Sequence, residues 1–361
     1  MRVLILSANT GGGHNSTASA IAEQLQKMNV EYKIEDTLAY ISEAFSDFIS
    51  KGHSYIYRNL PKLFGAGYRF EENHFTSLIY DQCARGAKAL LEELSKTQYD
   101  AVVCTHVFAG LMITEIRKKY GNFTPCYFIS TDYTCHPGVS ELQIDGYFIP
   151  HRMLLGEFVR NGIPADKLFV TGIPVHSHFY EDEGKTEARE ALGLPVDRKL
   201  VMLSCGSMGC GRMEKSALLM LEKMPTDAAL VVLCGNNKRT YEALQPYLGD
   251  RLYAVGFTKQ MWRYMSAADI YITKPGGLTT SEAIVKRVPM IFINAVPGCE
   301  TRNYDFLIEN GVASGAKNWK QVIELVNNAL EDPTLLEKQR ESMKQFHVGI
   351  AAEAICKKIL E

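Results

Sequence analysis

Several things are missing from this chain. No apolar run approaches the ~20 residues that a membrane-spanning helix needs. No CxxC pair occurs, and the nine cysteines stand singly. An odd number spaced in that way argues against a disulfide framework or a zinc site, and for a reducing compartment. There is no Asp-x-Asp pair, no internal repeat and no low-complexity stretch. Neither sign of charge dominates: 39 Lys and Arg meet 41 Asp and Glu, for a formal net charge of −2. That balance excludes a broadly basic nucleic-acid binder. A strand-like run from Arg2 leaves no room for the charged and apolar regions of a secretory signal. The expectation is a cytoplasmic protein whose contact with any membrane is peripheral.

What is present is an ordinary globular balance. Of 361 residues, 46% are hydrophobic and 22% charged, enough for a sizeable core. The length favours two domains. Short apolar runs at residues 3–7, 100–104, 126–130 and 147–149 read as buried strands. Helical patterns, such as residues 14–28, separate most of them. The series restarts with runs at 200–204, 230–233, 252–255, 270–272 and 290–293. Strands alternating with helices imply an α/β fold of two doubly wound, Rossmann-like domains, expected to face a central cleft. The first spans residues 1–178 and the second 179–345. Residues 346–361 end in a helix expected to pack back on the first domain. Between the two series, residues 178–185 read as a linker and 186–192 as a surface helix.

Three glycine-bearing strings follow predicted strands and open predicted helices. Ser7-Ala8-Asn9-Thr10-Gly11-Gly12-Gly13-His14 comes first. Its glycines let backbone amides approach an anionic ligand, and the helix N-terminus favours negative charge. His14 stands where the charged form of an imidazole is disfavoured, which suits a neutral general base. Cys205-Gly206-Ser207-Met208-Gly209-Cys210-Gly211 repeats the arrangement in the second series. The third string is Thr273-Lys274-Pro275-Gly276-Gly277-Leu278-Thr279-Thr280-Ser281-Glu282-Ala283. There Gly276 and Gly277 expose amides, Thr279 or Thr280 can cap the helix, and Glu282 can accept from two vicinal hydroxyls. The following loop offers Glu300 and Asn303 to a sugar. Residues 48–70 carry Lys51, Arg58, Lys62 and Arg69 among Tyr55, Tyr57, Phe64 and Tyr68, with no acid. Such a segment suits a membrane interface as well as an ordinary domain surface.

These strings resemble GT-B glycosyltransferases. The Gly-Gly-Leu-Thr-Thr-Ser-Glu-Ala run, the loop Pro297-Gly298-Cys299-Glu300-Thr301-Arg302-Asn303 and the Gly256-Phe257 turn are similar to a MurG-like nucleotide-binding half. The Gly-Gly-Gly-His string, Thr131-Asp132-Tyr133-Thr134-Cys135-His136-Pro137 and Gly172-Ile173-Pro174 look like monogalactosyldiacylglycerol synthases and processive diacylglycerol glucosyltransferases.

The resemblance implies inverting transfer of glucose or galactose from a UDP-sugar to diacylglycerol, with no metal or other cofactor. It implies His14 as the base, with Asp132 as rival or orienting partner. Gly11, Gly12, Gly13 and His136 would line the acceptor side. Gly206, Ser207, Gly209, Gly276, Gly277, Leu278 and Thr279 would lie by the donor phosphates, Phe257 by uracil and Glu282 by the ribose. Glu300 and Asn303 would meet the hexose. It also favours the membrane reading of Lys51, Tyr55, Arg58, Lys62, Phe64 and Arg69, against the anionic inner face of the cell membrane. Cys299 stands where many relatives have Gln, which leaves the choice of hexose open. The alternatives are a UDP-N-acetylglucosamine transferase with another lipid acceptor, a UDP-sugar 2-epimerase on the same fold, and a UDP-sugar sensor.

Overall fold

The computed structural model describes residues 1–9, 12–42, 46, 78–204, 206 and 213–361. The chain divides into two compact units. One comprises Met1–Ser177, Val296–Arg302 and Val348–Glu361; the other comprises His178–Ala295 and Asn303–His347. Two excursions therefore depart from a simple division near residue 178: the short segment Val296–Arg302 and the C-terminal tail both join the first unit.

The first unit is built on six parallel strands: β1 (Arg2–Ser7), β2 (Glu31–Asp36), β3 (Ala101–Cys104), β4 (Cys126–Ile129), β5 (Gly146–Ile149) and β6 (Leu168–Val170). Their order is β2-β1-β3-β4-β5-β6, with Ile5 paired to Val103 between β1 and β3. Val3, Ile5, Val103, Ile129 and Phe148 are buried there with Ile21 and Leu25 of the helix Gly12–Lys27. Ile355, Cys356 and Ile359, from the helix Ala351–Ile359, complete the same cluster. Full burial of each aliphatic side chain is worth ~1.5–3 kcal/mol, so these central strands, apolar on both faces, set the register.

The second unit repeats the plan with β7 (Lys199–Ser204), β8 (Ala228–Leu233), β9 (Leu252–Val255), β10 (Ile270–Thr273), β11 (Met290–Phe292) and β12 (Ala313–Gly315). The order is β12-β11-β10-β7-β8-β9, again all parallel. Ile272 pairs with Leu203 between β10 and β7. In each sheet the strand order reverses at one place, between β1 and β3 and between β7 and β10. In open parallel sheets, ligands bind at such a reversal, beyond the strands' carboxyl ends.

Three strands escape the hydrophobic pattern. β2 (Glu-Tyr-Lys-Ile-Glu-Asp) is mostly exposed because it is an edge strand, where charge blocks pairing with another chain. β6 and β12 have only three residues each, too few to show alternation. The helix Lys185–Leu192 is not wholly superficial. Its Arg189 is buried, and Nη2 donates to Asp269 Oδ2 at 2.8 Å, while the same oxygen accepts from Leu200 N at 2.7 Å. That pair pins the helix to the starts of β7 and β10.

Candidate functional site

At the first reversal, three adjacent strand ends bring the chemistry together. β1 leads through residues 8–11 to the helix Gly12–Lys27, of which His14 is the third residue. Gly12 and Gly13 thus belong to the first helical turn, where amides have no intrahelical partner, rather than to the loop before it. The turn is held by side chains: Ser7 Oγ donates to Asn15 Oδ1 at 2.6 Å, and Asn15 Nδ2 to Asn9 Oδ1 at 2.7 Å.

β3 ends before Thr105, whose carbonyl oxygen lies 2.7 Å from His14 Nδ1. A carbonyl only accepts, so Nδ1 carries the proton and Nε2 keeps the lone pair. Thr131, beyond β4, places its Oγ1 3.2 Å from the same Nδ1. Burial lowers the pKa of the half-buried ring, against the opposing pull of the Asp132 carboxylate. His136 also has its pKa lowered by burial, with Asp132 again acting in the opposite sense and His14 in the same sense. His14, Asp132 and His136 therefore form one cluster at the carboxyl edge of the sheet.

His106 joins them as a wall. Its ring stands edge-on to His14 at 4.6 Å between centroids, and its Nδ1 accepts from Phe108 N at 3.2 Å, capping the helix Val107–Tyr120. Thr105 has no sequence signal of its own beyond its position just past a predicted strand end. Thr131 is visible in the Thr131–Pro137 string but has no role assigned by sequence.

At the second reversal, Gly206 follows β7 with φ of 80°, a left-handed conformation that glycine adopts without strain. A Cβ placed there would lie 4.0 Å from Lys274 Cε, so the buried Lys274 side chain runs past this glycine. Lys274 is visible in the third glycine string but has no role assigned by sequence. β10 then gives way to the helix Gly277–Lys286, with Gly276 as its N-cap and no side chain capping it. Thr279 and Thr280 lie inside the helix instead of capping it. Thr280 is buried there, while Leu278 and Thr279 are half-buried in the first turn. The turn's free amides are thus available to an anion. Glu282 is buried in the same helix, and burial pushes its carboxyl up to about 8. Phe257, in the turn after β9, is 60% exposed.

The segment expected as a sugar-binding loop is different. From Cys299 it is the helix Cys299–Glu309. Asn303 is fully buried within it, donating from Nδ2 to Pro275 O at 2.9 Å. Asn303 therefore holds the third glycine string in place rather than presenting its amide to a sugar. Glu300 is half-buried and its Oε2 accepts from Val296 N at 2.8 Å, closing the turn before the helix. Gly11, Lys51, Tyr55, Arg58, Lys62, Phe64, Arg69, Ser207 and Gly209 lie outside the described residues.

Residues 14–175 match the family profile described as "Monogalactosyldiacylglycerol (MGDG) synthase". Residues 186–346 match the profile "Glycosyl transferases group 1". The chain is similar to a Bacillus pumilus (strain SAFR-032) protein named processive diacylglycerol beta-glucosyltransferase. The two are 28% identical over 374 residues, which cover 100% of this chain and 94% of that protein. Among solved structures it is similar to Acinetobacter baumannii MurG, with a TM-score of 0.67 at 17% identity over 100% of this chain and 99% of that one. It is also similar to a UDP-GlcNAc 2-epimerase from Neisseria meningitidis bound to UDP-GlcNAc, with a TM-score of 0.64 at 15% identity over 100% of both chains. At such identities these two likenesses speak for the fold alone.

Proposed function

We propose that this chain, a GT-B glycosyltransferase of the monogalactosyldiacylglycerol synthase and processive diacylglycerol glucosyltransferase kind, moves glucose or galactose from a UDP-sugar to the hydroxyl of diacylglycerol. The observation that carries the reading is the fixed tautomer of His14. An imidazole kept neutral by burial, with Nδ1–H spent on Thr105 O, has a single basic nitrogen to offer. Nε2 takes the proton as the acceptor oxygen attacks the anomeric carbon. The bond to the UDP oxygen breaks on the opposite face, which inverts the configuration. Asp132 favours the imidazolium that results.

In this reading the second unit holds the donor. The free amides at the start of Gly277–Lys286 offset the charge that grows on the departing diphosphate, so the reaction needs no metal. Glu282 accepts from the ribose hydroxyls, and the exposed Phe257 ring packs on uracil. Diacylglycerol resides in a bilayer, so the enzyme works at a membrane surface. No helix among the described residues is long and apolar enough to cross one.

The test is incubation with UDP-glucose or UDP-galactose and diacylglycerol dispersed in detergent, with EDTA present, followed by assay of UDP and extraction of glycolipid. Acceptor-dependent UDP release with a glycosylated lipid supports the reading. Conversion of UDP-N-acetylglucosamine without any acceptor would replace it with the epimerase alternative.

A further inference from the structure

The stretch that follows β5 has an exposed face without an acid. It consists of a 3₁₀ turn, Arg152–Leu154, running into the helix Leu155–Arg160. At 3.6 residues per turn, Leu154 and Phe158 share one side and both are buried. Arg152, Met153, Gly156, Val159 and Arg160 share the other and are exposed. Met153 and Val159 are large apolar side chains left 57% and 46% in solvent. The Arg160 guanidinium lies across Gly156, with Nη1 3.2 Å from where a Cβ would stand.

The one acid of the stretch is turned away. Glu157 Oε1 accepts from Thr134 Oγ1 and from Cys135 N, both at 2.7 Å. This both removes negative charge from the exposed face and ties the helix to the loop that carries Asp132 and His136.

We infer that this face rests on an anionic bilayer. Two guanidinium groups interleaved with two apolar side chains match a surface of anionic head groups over acyl chains. A protein partner is a poorer match, because stable interfaces bury ~800 Å² per partner, far more than two short turns present. The whole chain carries a net charge of −2 and offers no overall attraction to such a membrane. Attraction must be local, and this patch supplies it beside the acceptor loop. Through Glu157, docking of the helix sets residues 134 and 135, and with them the Asp132–His136 cluster, at the lipid surface. This inference rests on the proposed function for the identity of the acceptor, but the surface itself is argued from its own residues.

The test uses the full chain and two double variants, R152S/R160S and M153S/V159S, all on the exposed face and away from the His14 cluster. Sedimentation with phosphatidylcholine vesicles, with and without phosphatidylglycerol, measures partitioning. Loss of one basic group near an anionic surface is worth about five-fold, so R152S/R160S should partition about 25-fold more weakly onto the anionic vesicles. M153S/V159S should weaken the part of the binding that survives high salt. Far-UV circular dichroism of both variants should match the parent. Unchanged partitioning of both variants overturns the inference, as does a change in oligomeric state in place of vesicle binding, which would make the face a contact between copies. The detergent assay separates the two readings. Transfer by all three proteins with equal vesicle binding sinks this face alone. No transfer by any of them, with vesicle binding lost in the variants, sinks the diacylglycerol reading and leaves the lipid face standing.

Discussion

Glu282→Gln should make the free protein more stable in mildly alkaline solution while weakening its hold on UDP. The carboxyl is buried midway along the helix Gly277–Lys286, and burial raises its pKa from the ordinary 4.5 to about 8. The folded protein therefore keeps this proton up to about pH 8, whereas the unfolded chain releases it near 4.5. Between those values the unfolded state binds fewer protons, so stability falls as pH rises through the window. Below it nothing is lost, and above it the loss is complete. A spread of about 3.5 pH units at ~1.36 kcal/mol per unit sets an upper bound of about 5 kcal/mol. Glutamine keeps the shape and has no charge to bury.

Thermal unfolding at about pH 5 and about pH 8.5 reads the effect, since 1 kcal/mol moves the midpoint ~2–4 °C in a domain of this size. The variant and parent should melt together at the lower pH, and the variant several degrees higher at the other. The same change should raise the Kd for UDP by ~5- to 150-fold, the equivalent of ~1–3 kcal/mol for hydrogen bonds to a charged group. Ribose hydroxyls favour the ionised carboxylate, so UDP binding to the parent near neutrality should expel a proton. Calorimetry in two buffers of different ionisation enthalpy measures that proton. Parallel melting at both pH values would refute the account of burial. An unchanged Kd with no proton released would refute the ribose assignment.

His14→Ala should lower kcat ~10²–10⁴-fold, the usual worth of a positioned base, while UDP affinity in calorimetry stays close to the parent's. Because the base must be neutral and burial holds its pKa below 6.5, the acid limb of kcat/KM should fall below pH 6.5. Phe257→Ala should leave the melting temperature nearly unchanged, since the ring is exposed, yet weaken UDP binding by ~1–3 kcal/mol, the scale of base–aromatic stacking. Asn303→Ala should do the reverse first, costing ~1–3 kcal/mol in a thermal melt by leaving Pro275 O without its donor, with weaker UDP binding as a consequence of the shifted string.

Central strands such as β3, β8 and β10 were legible because a strand covered on both faces reads as a continuous apolar run. An edge strand has no such need, and β2 is polar enough to pass for a loop. The candidate site divides in the same way. His14, Asp132 and His136 sit just past predicted strand ends, where parallel sheets put function, and their clustering follows from strand order. The acceptor that fixes the His14 tautomer is a backbone carbonyl, which every residue carries, so no residue type announces it. Asn303 illustrates the opposite error. In a loop its amide faces a sugar. In a helix that begins at Cys299, its phase turns it inward, and only the observed start of the helix reveals that phase.

The two reversals use one physical device for different ends. Burial disfavours charge on both key groups: it lowers the pKa of His14 and raises that of Glu282, so each is drawn toward its neutral form before any ligand arrives. A neutral imidazole is a base in waiting, and its positive charge is favoured by Asp132 as soon as it takes a proton. A neutral carboxyl is a receptor in waiting: among the described residues burial alone shifts it, so donors brought by a ligand would favour its negative charge. An apolar molecule entering the second site would find a protonated acid and gain nothing from it. A molecule with paired hydroxyls would draw the proton off and bind the anion. On the proposed function, selectivity for a polyol at Glu282 and readiness for proton transfer at His14 both follow from burial that disfavours charge until the substrate arrives.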